Sequence, residues 1–200
     1  VTAAAISFLA IYLAHGFTAM STVALLGTLG ALALTIALSV IFVSLANLTG
    51  LGGDEVTFLR QVSGTIDLRG LLLAGIIIGA LGALDDMTVT QASAVFELRA
   101  ANDRMSTAEL YAAGIRIGRD HVASTVNTLV LAYAGAAMPL FLLFAATDQP
   151  LAAIANGEIV ATEIVRTLVG SIGLVAAVPL TTWLAALTAR HATPSADVVP

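Results

Sequence analysis

The chain has 200 residues, of which 58% are hydrophobic and only 10% are charged, and its formal net charge is −5. Soluble domains are about 45–50% apolar and about 25% charged, so this chain is too apolar for a soluble surface and for disorder. The remaining class is an integral membrane protein. Without cysteine or lysine the chain has no thiolate metal site and no Schiff-base group, and its acidic balance offers no basic patch for nucleic acid.

Five apolar segments are predicted to cross the membrane as helices, because the apolar runs are continuous and lack the period of two that is typical of barrel strands. The last four exceed the roughly 20 residues needed to cross about 30 Å of hydrocarbon. The first is shorter, and the chain begins within it without Met, which indicates a fragment of a longer protein. The spans are predicted near residues 1–14, 22–48, 70–95, 121–146 and 164–189.

These spans predict an all-α fold, a polytopic transmembrane helical bundle that forms one domain over residues 1–191. A disordered tail is predicted at residues 192–200. Between the third and fourth spans lies a loop with four arginines, in which Ser106 and Glu109 have the spacing of a helix capping box. Five arginines on this side of the membrane against three on the other predict that the loop and the C-terminus are cytoplasmic.

A stripe of small and acidic residues follows one face of the third predicted span. At steps of three and four, it consists of Gly75, Gly79, Gly82, Asp86, Thr90, Ser93 and Glu97. Its glycines predict close packing against another helix, with Leu72, Ile76 and Leu84 facing lipid.

Asp85 and Asp86 lie near or below the middle of this span, where an ionised Asp costs about 2.5–3.5 kcal/mol to insert. Two adjacent carboxylates in a membrane are typical of a proton or cation carrier. The alternative is a structural role, with the acids hydrated near the inner interface or paired with Arg116 or Arg119.

The fourth predicted span carries a polar face that begins at the arginine-rich loop and climbs to mid-span. If this face packs against the third span, the polar side chains of the two spans are expected to form a proton or ion pathway. The residues of that pathway are Asp85, Asp86, Thr90, Asp120, His121, Asn127 and Thr128. The glycines Gly135, Gly170 and Gly173 are expected to serve helix packing. Arg166 is expected to snorkel to the outer interface.

Three strings of the sequence carry a resemblance to a known family. They are GALGALDDMTVTQASAVFEL at 79–98, GIRIGRDHVASTVNTLVLAYAG at 114–135 and EIVRTLVGSIGLVAAVP at 163–179. Together they resemble the YibE/F family of bacterial multi-span membrane proteins, in its actinobacterial form. The resemblance implies a place in the bacterial cytoplasmic membrane and a longer protein that continues upstream. The resemblance does not imply a particular biochemical activity.

A more distant likeness is architectural, to the resistance-nodulation-division permeases and to SecD/SecF. In those proteins too, a Gly-rich helix with mid-membrane acids is followed by a short loop and a polar helix. This chain differs from them because it contains no large periplasmic domain.

Two functions are left open: an ion- or proton-coupled transporter, and a non-catalytic membrane scaffold or assembly factor. An intramembrane aspartyl protease would need Asp120 at the depth of Asp85 or Asp86, and Asp120 is placed at the cytoplasmic mouth. No enzymatic activity, cofactor or resident metal is therefore expected, apart from a coupling ion of unknown identity. The expected partners are the lipid bilayer and a small substrate or ion, with a second copy or a partner membrane subunit left open.

Overall fold

The computed structural model describes residues 1–52, 54–62, 66–146 and 150–189. Over these residues the chain forms eight helices and no strand, so the prediction of an all-α fold is confirmed. The helices are α1 (Thr2–His15), α2 (Ala19–Leu45), α3 (Asp54–Val62), α4 (Leu68–Ala101), α5 (Thr107–Ala136), α6 (Met138–Ala145), α7 (Leu151–Ala155) and α8 (Glu158–Ala189). The predicted tail lies outside the described residues, and the single domain stays a prediction.

The prediction of five spans is wrong. Within the described residues three helices, α2, α4 and α8, are long and apolar enough to cross a membrane. A fourth span results only if α5 and α6 are taken as one broken segment, bent by 52°. With 14 residues, α1 is shorter than the roughly 20 residues that a full crossing requires.

The bend between α5 and α6 has an identifiable cause. Pro139 lies in the first turn of α6. A proline has no N–H to donate, and its ring clashes with the carbonyl of the residue four positions earlier, so a straight helix cannot continue through it. Hydropathy alone does not register this break, which explains why the fourth span was predicted as one continuous helix.

The core of the bundle is formed by α2, α4 and α8, which all contact one another. α5 packs against α4 and α8, and α1 packs against α2 and α4. α2 runs opposite to α4 and α8, because Val23 shares a cluster with Val95 and Ala185, whereas Val43 shares one with Ile76. We call the end where α2 finishes and α4 begins the Thr49 end, and the opposite end, where α5 begins, the Ser106 end.

The buried face of α4 is the opposite of the predicted one. Ile76 and Leu84 were expected to face lipid, yet both are completely buried. A Cβ on Gly75 or Gly82 would have no neighbour within 4 Å among the described residues, whereas one on Gly79 would lie 3.0 Å from the hydroxyl of Tyr133 on α5. Of the stripe glycines, Gly79 therefore approaches α5, whereas Gly75 and Gly82 make no packing contact with the described residues.

Other glycines allow the helices to approach closely. A Cβ on Gly118 of α5 would lie 2.5 Å from both Oε1 of Gln91 and Cγ1 of Val178, which is closer than real contacts allow. Gly173 likewise faces Thr35, and Gly170 lies in ordinary contact distance of Leu129. The close contacts of the core are thus made by glycines of α5 and α8 and by Gly27 and Gly30 of α2, which approach Thr181 and Leu180 of α8. By contrast, Gly135 has no neighbour within 4 Å.

The start of α5 agrees with the sequence pattern. The Glu109 N–H donates to the Ser106 hydroxyl at 3.3 Å, and the Ser106 N–H donates to the Glu109 carboxylate at 2.7 Å. These reciprocal bonds form the predicted capping box.

Candidate functional site

The most unusual group inside the bundle is the carboxylate of Asp85, near the middle of α4. The hydroxyl of Ser7, a fully buried residue of α1, donates to Oδ2 of Asp85 at 3.2 Å. The other carboxylate oxygen, Oδ1, is buried and has no hydrogen-bond partner among the described residues. Among the described residues, this partly buried acid therefore accepts a hydrogen bond from one hydroxyl at Oδ2 and none at Oδ1.

Two buried threonines lie beside this carboxylate. The hydroxyls of Thr28 on α2 and Thr88 on α4 are 2.6 Å apart, and the Thr88 hydroxyl also donates to the backbone carbonyl of Asp85 at 3.1 Å. Both side chains are completely buried. Because a hydroxyl can both donate and accept, such a group can pass on a proton or contribute an oxygen ligand to a cation.

Among the described residues, Asp85 has no cationic partner. The one salt bridge within the described part of the chain joins Glu163 and Arg166 at 2.7 Å. Arg116 and Arg119 are exposed on α5, so the alternative in which arginines there neutralise the intramembrane acids has no support in the described residues. Nor do these residues contain a group of three or more His, Asp or Glu that could hold a metal ion.

Asp86 does not share the site of Asp85. Successive residues of a helix are rotated by about 100°, so the two side chains diverge. Asp86 is exposed on the outward face, as is Thr90, whose hydroxyl donates to the Asp86 carbonyl at 2.6 Å. The two acids are thus not brought together as a pair.

The expected facing of polar surfaces between α4 and α5 is also not found. The two helices are neighbours, but Asp120, Asn127 and Thr128 are exposed on the outside of α5, and His121 is only partly buried. Gly118 and Gly114 are α5 residues beside Gln91 of α4, and Gly118 is the one nearer to Asn127 along the helix. Asn127 lies nine residues further on, about 13 Å along the helix, so it does not meet Thr90.

Gln91 joins three helices and was missed by the sequence reasoning. Its side-chain amide donates to the carbonyl of Gly114 on α5 at 2.8 Å and to the hydroxyl of Thr182 on α8 at 2.7 Å. Gln91 is 1% exposed. A signal was present, because Asp85, Thr88 and Gln91 follow one another at steps of three along α4, a second polar line beside the longer stripe.

We predict that Gln91→Leu lowers the free energy of unfolding by about 1–3 kcal/mol, because two interhelical hydrogen bonds are lost within the membrane. Thermal unfolding of the purified full-length protein measures the change. Thr90→Val is the matched control, since among the described residues the exposed Thr90 hydroxyl bonds only within its own helix. An equal loss of stability in both variants would contradict the assigned role of Gln91.

A second polar feature lies at the Thr49 end, where a cavity of about 350 Å³ opens between α3, α4 and α8. Arg166 and Glu163 line it as an ion pair, together with Thr162. The guanidinium Nε of Arg166 is buried without a hydrogen-bond partner among the described residues. Arg166 therefore belongs to a paired site that lines a pocket, and its reach to the outer interface stays a prediction.

Long apolar helices around an interior carboxylate define a polytopic membrane protein. The family model described as YibE/F-like protein matches residues 1–191. The chain therefore belongs to the YibE/F-like family, as its three characteristic strings indicated. No curated protein and no solved structure matches it. The likeness to the resistance-nodulation-division permeases and SecD/SecF stays a prediction.

Proposed function

We propose that this protein is an ion- or proton-coupled membrane transporter in which Asp85 is the carrier group. The observation that carries the proposal is an interior carboxylate at mid-helix with one free oxygen and no cationic partner in the described residues. An ionised Asp in hydrocarbon costs about 2.5–3.5 kcal/mol. A chain that keeps such a group without an arginine can neutralise it by taking up a proton or a cation, and that uptake is the elementary step of coupling.

The surroundings of Asp85 support this role. The hydroxyls of Ser7, Thr28 and Thr88 come from three different helices, so a relative movement of α1 or α2 would change how the carboxylate is solvated. A carrier site must alternate between two such states. Asp86, Thr90, Asn127 and Thr128 lie outside the bundle, and we assign them no part in a pathway through this chain alone. Asp120 and His121 remain candidate residues of the pathway.

The proposal includes no enzymatic step and no cofactor. An aspartyl protease needs two carboxylates that share one site. Asp85 points toward α1 and α2, whereas Asp120 is exposed on α5. The substrate is a small molecule or ion that the Asp85 site moves without chemical change.

The proposal is tested with the full-length protein in liposomes, by following internal pH and cation content under an imposed proton, Na⁺ or K⁺ gradient. We expect a protein-dependent flux of one of these ions. The same assay separates the proposal from its alternative, because a scaffold produces no flux.

The alternative, a scaffold or assembly factor, has its own observation. The outward face of α4 combines glycines without neighbours and the exposed Asp86. A face of small and acidic residues suits close contact with another helix better than contact with lipid chains. The partner would be a second copy of the chain or another membrane subunit.

We propose that the protein lies in the bacterial cytoplasmic membrane with the Ser106 end in the cytoplasm. The loop before α5 is rich in arginine, and α8 finishes at this same end, since Ala185 and Leu110 share a cluster. A cysteine at Asn102 should therefore resist a membrane-impermeant thiol reagent in intact cells and react after permeabilisation. Efficient labelling of intact cells would show that the topology is the opposite, with the Ser106 end outside.

A further inference from the structure

We infer that the pocket at the Thr49 end binds a small amphipathic zwitterion, with Arg166 holding its anionic group and Glu163 its ammonium group. The two side chains line one cavity and come from one turn of α8, with Nη1 of Arg166 donating to Oε1 of Glu163 at 2.7 Å. The inference concerns binding alone and does not rest on transport by Asp85. Gly75, which lines the pocket, is ten residues from Asp85, about 15 Å along α4.

The balance of charge selects the class of ligand. A guanidinium has five N–H donors, of which Glu163 accepts one, and a carboxylate has two oxygens that accept. A simple anion bound to the remaining donors of Arg166 would leave the neutral pair with an uncompensated negative charge, and a simple cation bound to Glu163 would leave it with an uncompensated positive charge. Because an unpaired charge in a partly buried site is costly, a ligand that carries both signs fits this pair best.

The rest of the pocket selects an apolar body for the ligand. Its wall includes Val56, Leu68, Leu71, Leu72 and Ile159. A volume of about 350 Å³ falls within the range of small-molecule sites. The ligand therefore joins a zwitterionic head to a short apolar group.

The loop that lines the pocket at Gly50 is held in place by hydrogen bonds to a side chain of α8. Glu158 accepts the backbone N–H groups of Thr49 and Gly50, each at 2.6 Å. Gly50 has φ 82°, and a Cβ there would lie 2.5 Å from the carbonyl oxygen of Leu68. Only glycine allows the loop to lie this close to α4, so the wall of the pocket is formed before a ligand arrives.

Two sources supply this chemistry. One is a free α-amino acid with an apolar side chain, and the other is the phosphate and ammonium of a phosphatidylethanolamine head group. Both present an anion and an ammonium a few atoms apart, next to an apolar chain. The experiment therefore has one arm for each source.

In the first arm, titration calorimetry on the full-length protein in detergent compares leucine with two matched analogues, 4-methylpentanoate, which lacks the amino group, and 3-methylbutylamine, which lacks the carboxylate. Leucine should bind at least about tenfold more tightly than either analogue, the loss expected for one charged hydrogen bond. In the second arm, native mass spectrometry after extraction from nanodiscs measures retained lipid. Phosphatidylethanolamine should be retained in preference to phosphatidylglycerol. Preference in either arm supports the inference and identifies the source.

Arg166→Gln should abolish the preference for leucine over 3-methylbutylamine, and Glu163→Gln should abolish the preference for leucine over 4-methylpentanoate. Both variants should abolish the preference for phosphatidylethanolamine, whereas Arg119→Gln, an exposed arginine of α5, should leave all preferences intact. If a variant does not fold, the comparison of leucine with its two analogues on the unaltered protein still tests whether the pocket prefers a zwitterion. The inference is overturned if neither leucine nor phosphatidylethanolamine is preferred, or if the preference for leucine over 3-methylbutylamine persists in Arg166→Gln. Because no gradient is applied, this failure is distinct from a failure of transport, which only the flux assay measures.

Discussion

Replacing Asp85 with Asn should reduce ion-coupled flux to the background of empty liposomes while the protein still inserts and folds. Asn keeps the size of Asp and can still accept the hydrogen bond from Ser7, but it cannot take up or release a proton and carries no charge for a cation. Stability should stay the same or rise, because an intramembrane charge that costs about 2.5–3.5 kcal/mol has been removed. Flux and thermal unfolding are measured on the same preparations.

Asp86→Asn is the matched control, since it makes the same chemical change one residue further along. Its side chain is exposed on the outward face of α4, so flux should persist. Flux that survives Asp85→Asn would remove the carrier role. Equal loss in both variants, accompanied by lower abundance, would instead favour the scaffold, in which the acids serve assembly.

Gly118→Leu should lower the free energy of unfolding by about 1–3 kcal/mol or more, since 1–3 kcal/mol is the usual cost of forcing extra atoms into a packed core. The first added atom would already lie 2.5 Å from Gln91 and from Val178, so α5 would have to move away from α4 and α8. That movement would also disturb the bond from Gln91 to Gly114. Thermal unfolding in detergent measures the effect.

Gly82→Leu provides the comparison, because a Cβ there meets nothing within 4 Å. This variant should unfold at the temperature of the unaltered protein. If Gly82→Leu proved as damaging to the isolated chain as Gly118→Leu, the outward placement of the α4 stripe would be wrong. If it left folding intact but abolished association with another subunit, the scaffold would gain support.

Several features of this protein could be predicted from the sequence because they depend on local chemistry. Apolar content alone identified a membrane protein, and continuous apolar runs identified helices, because every backbone polar group in lipid must be paired within its own segment. The capping box at Ser106 depends on two side chains three residues apart and was confirmed. The family assignment depends on strings of neighbouring residues and was also confirmed.

The number of spans could not be predicted in the same way. Hydropathy adds up residues without regard to where the helix axis bends, so the run containing Pro139 was counted as one span although α5 and α6 meet at 52°. The Arg166–Glu163 pocket was missed for a similar reason. It exists only because α3, α4 and α8 meet at the Thr49 end, a place that no single segment defines.

The orientation of α4 was decided by the tertiary structure alone. In water, the apolar face of a helix turns inward, so periodicity shows which side is buried. In a membrane the lipid is as apolar as the core, and a periodic stripe does not by itself indicate the interior. The glycine stripe with Asp86 and the line of Asp85, Thr88 and Gln91 were both compatible with the sequence. The contacts with Ser7, Thr28 and Thr182 turn the second line inward.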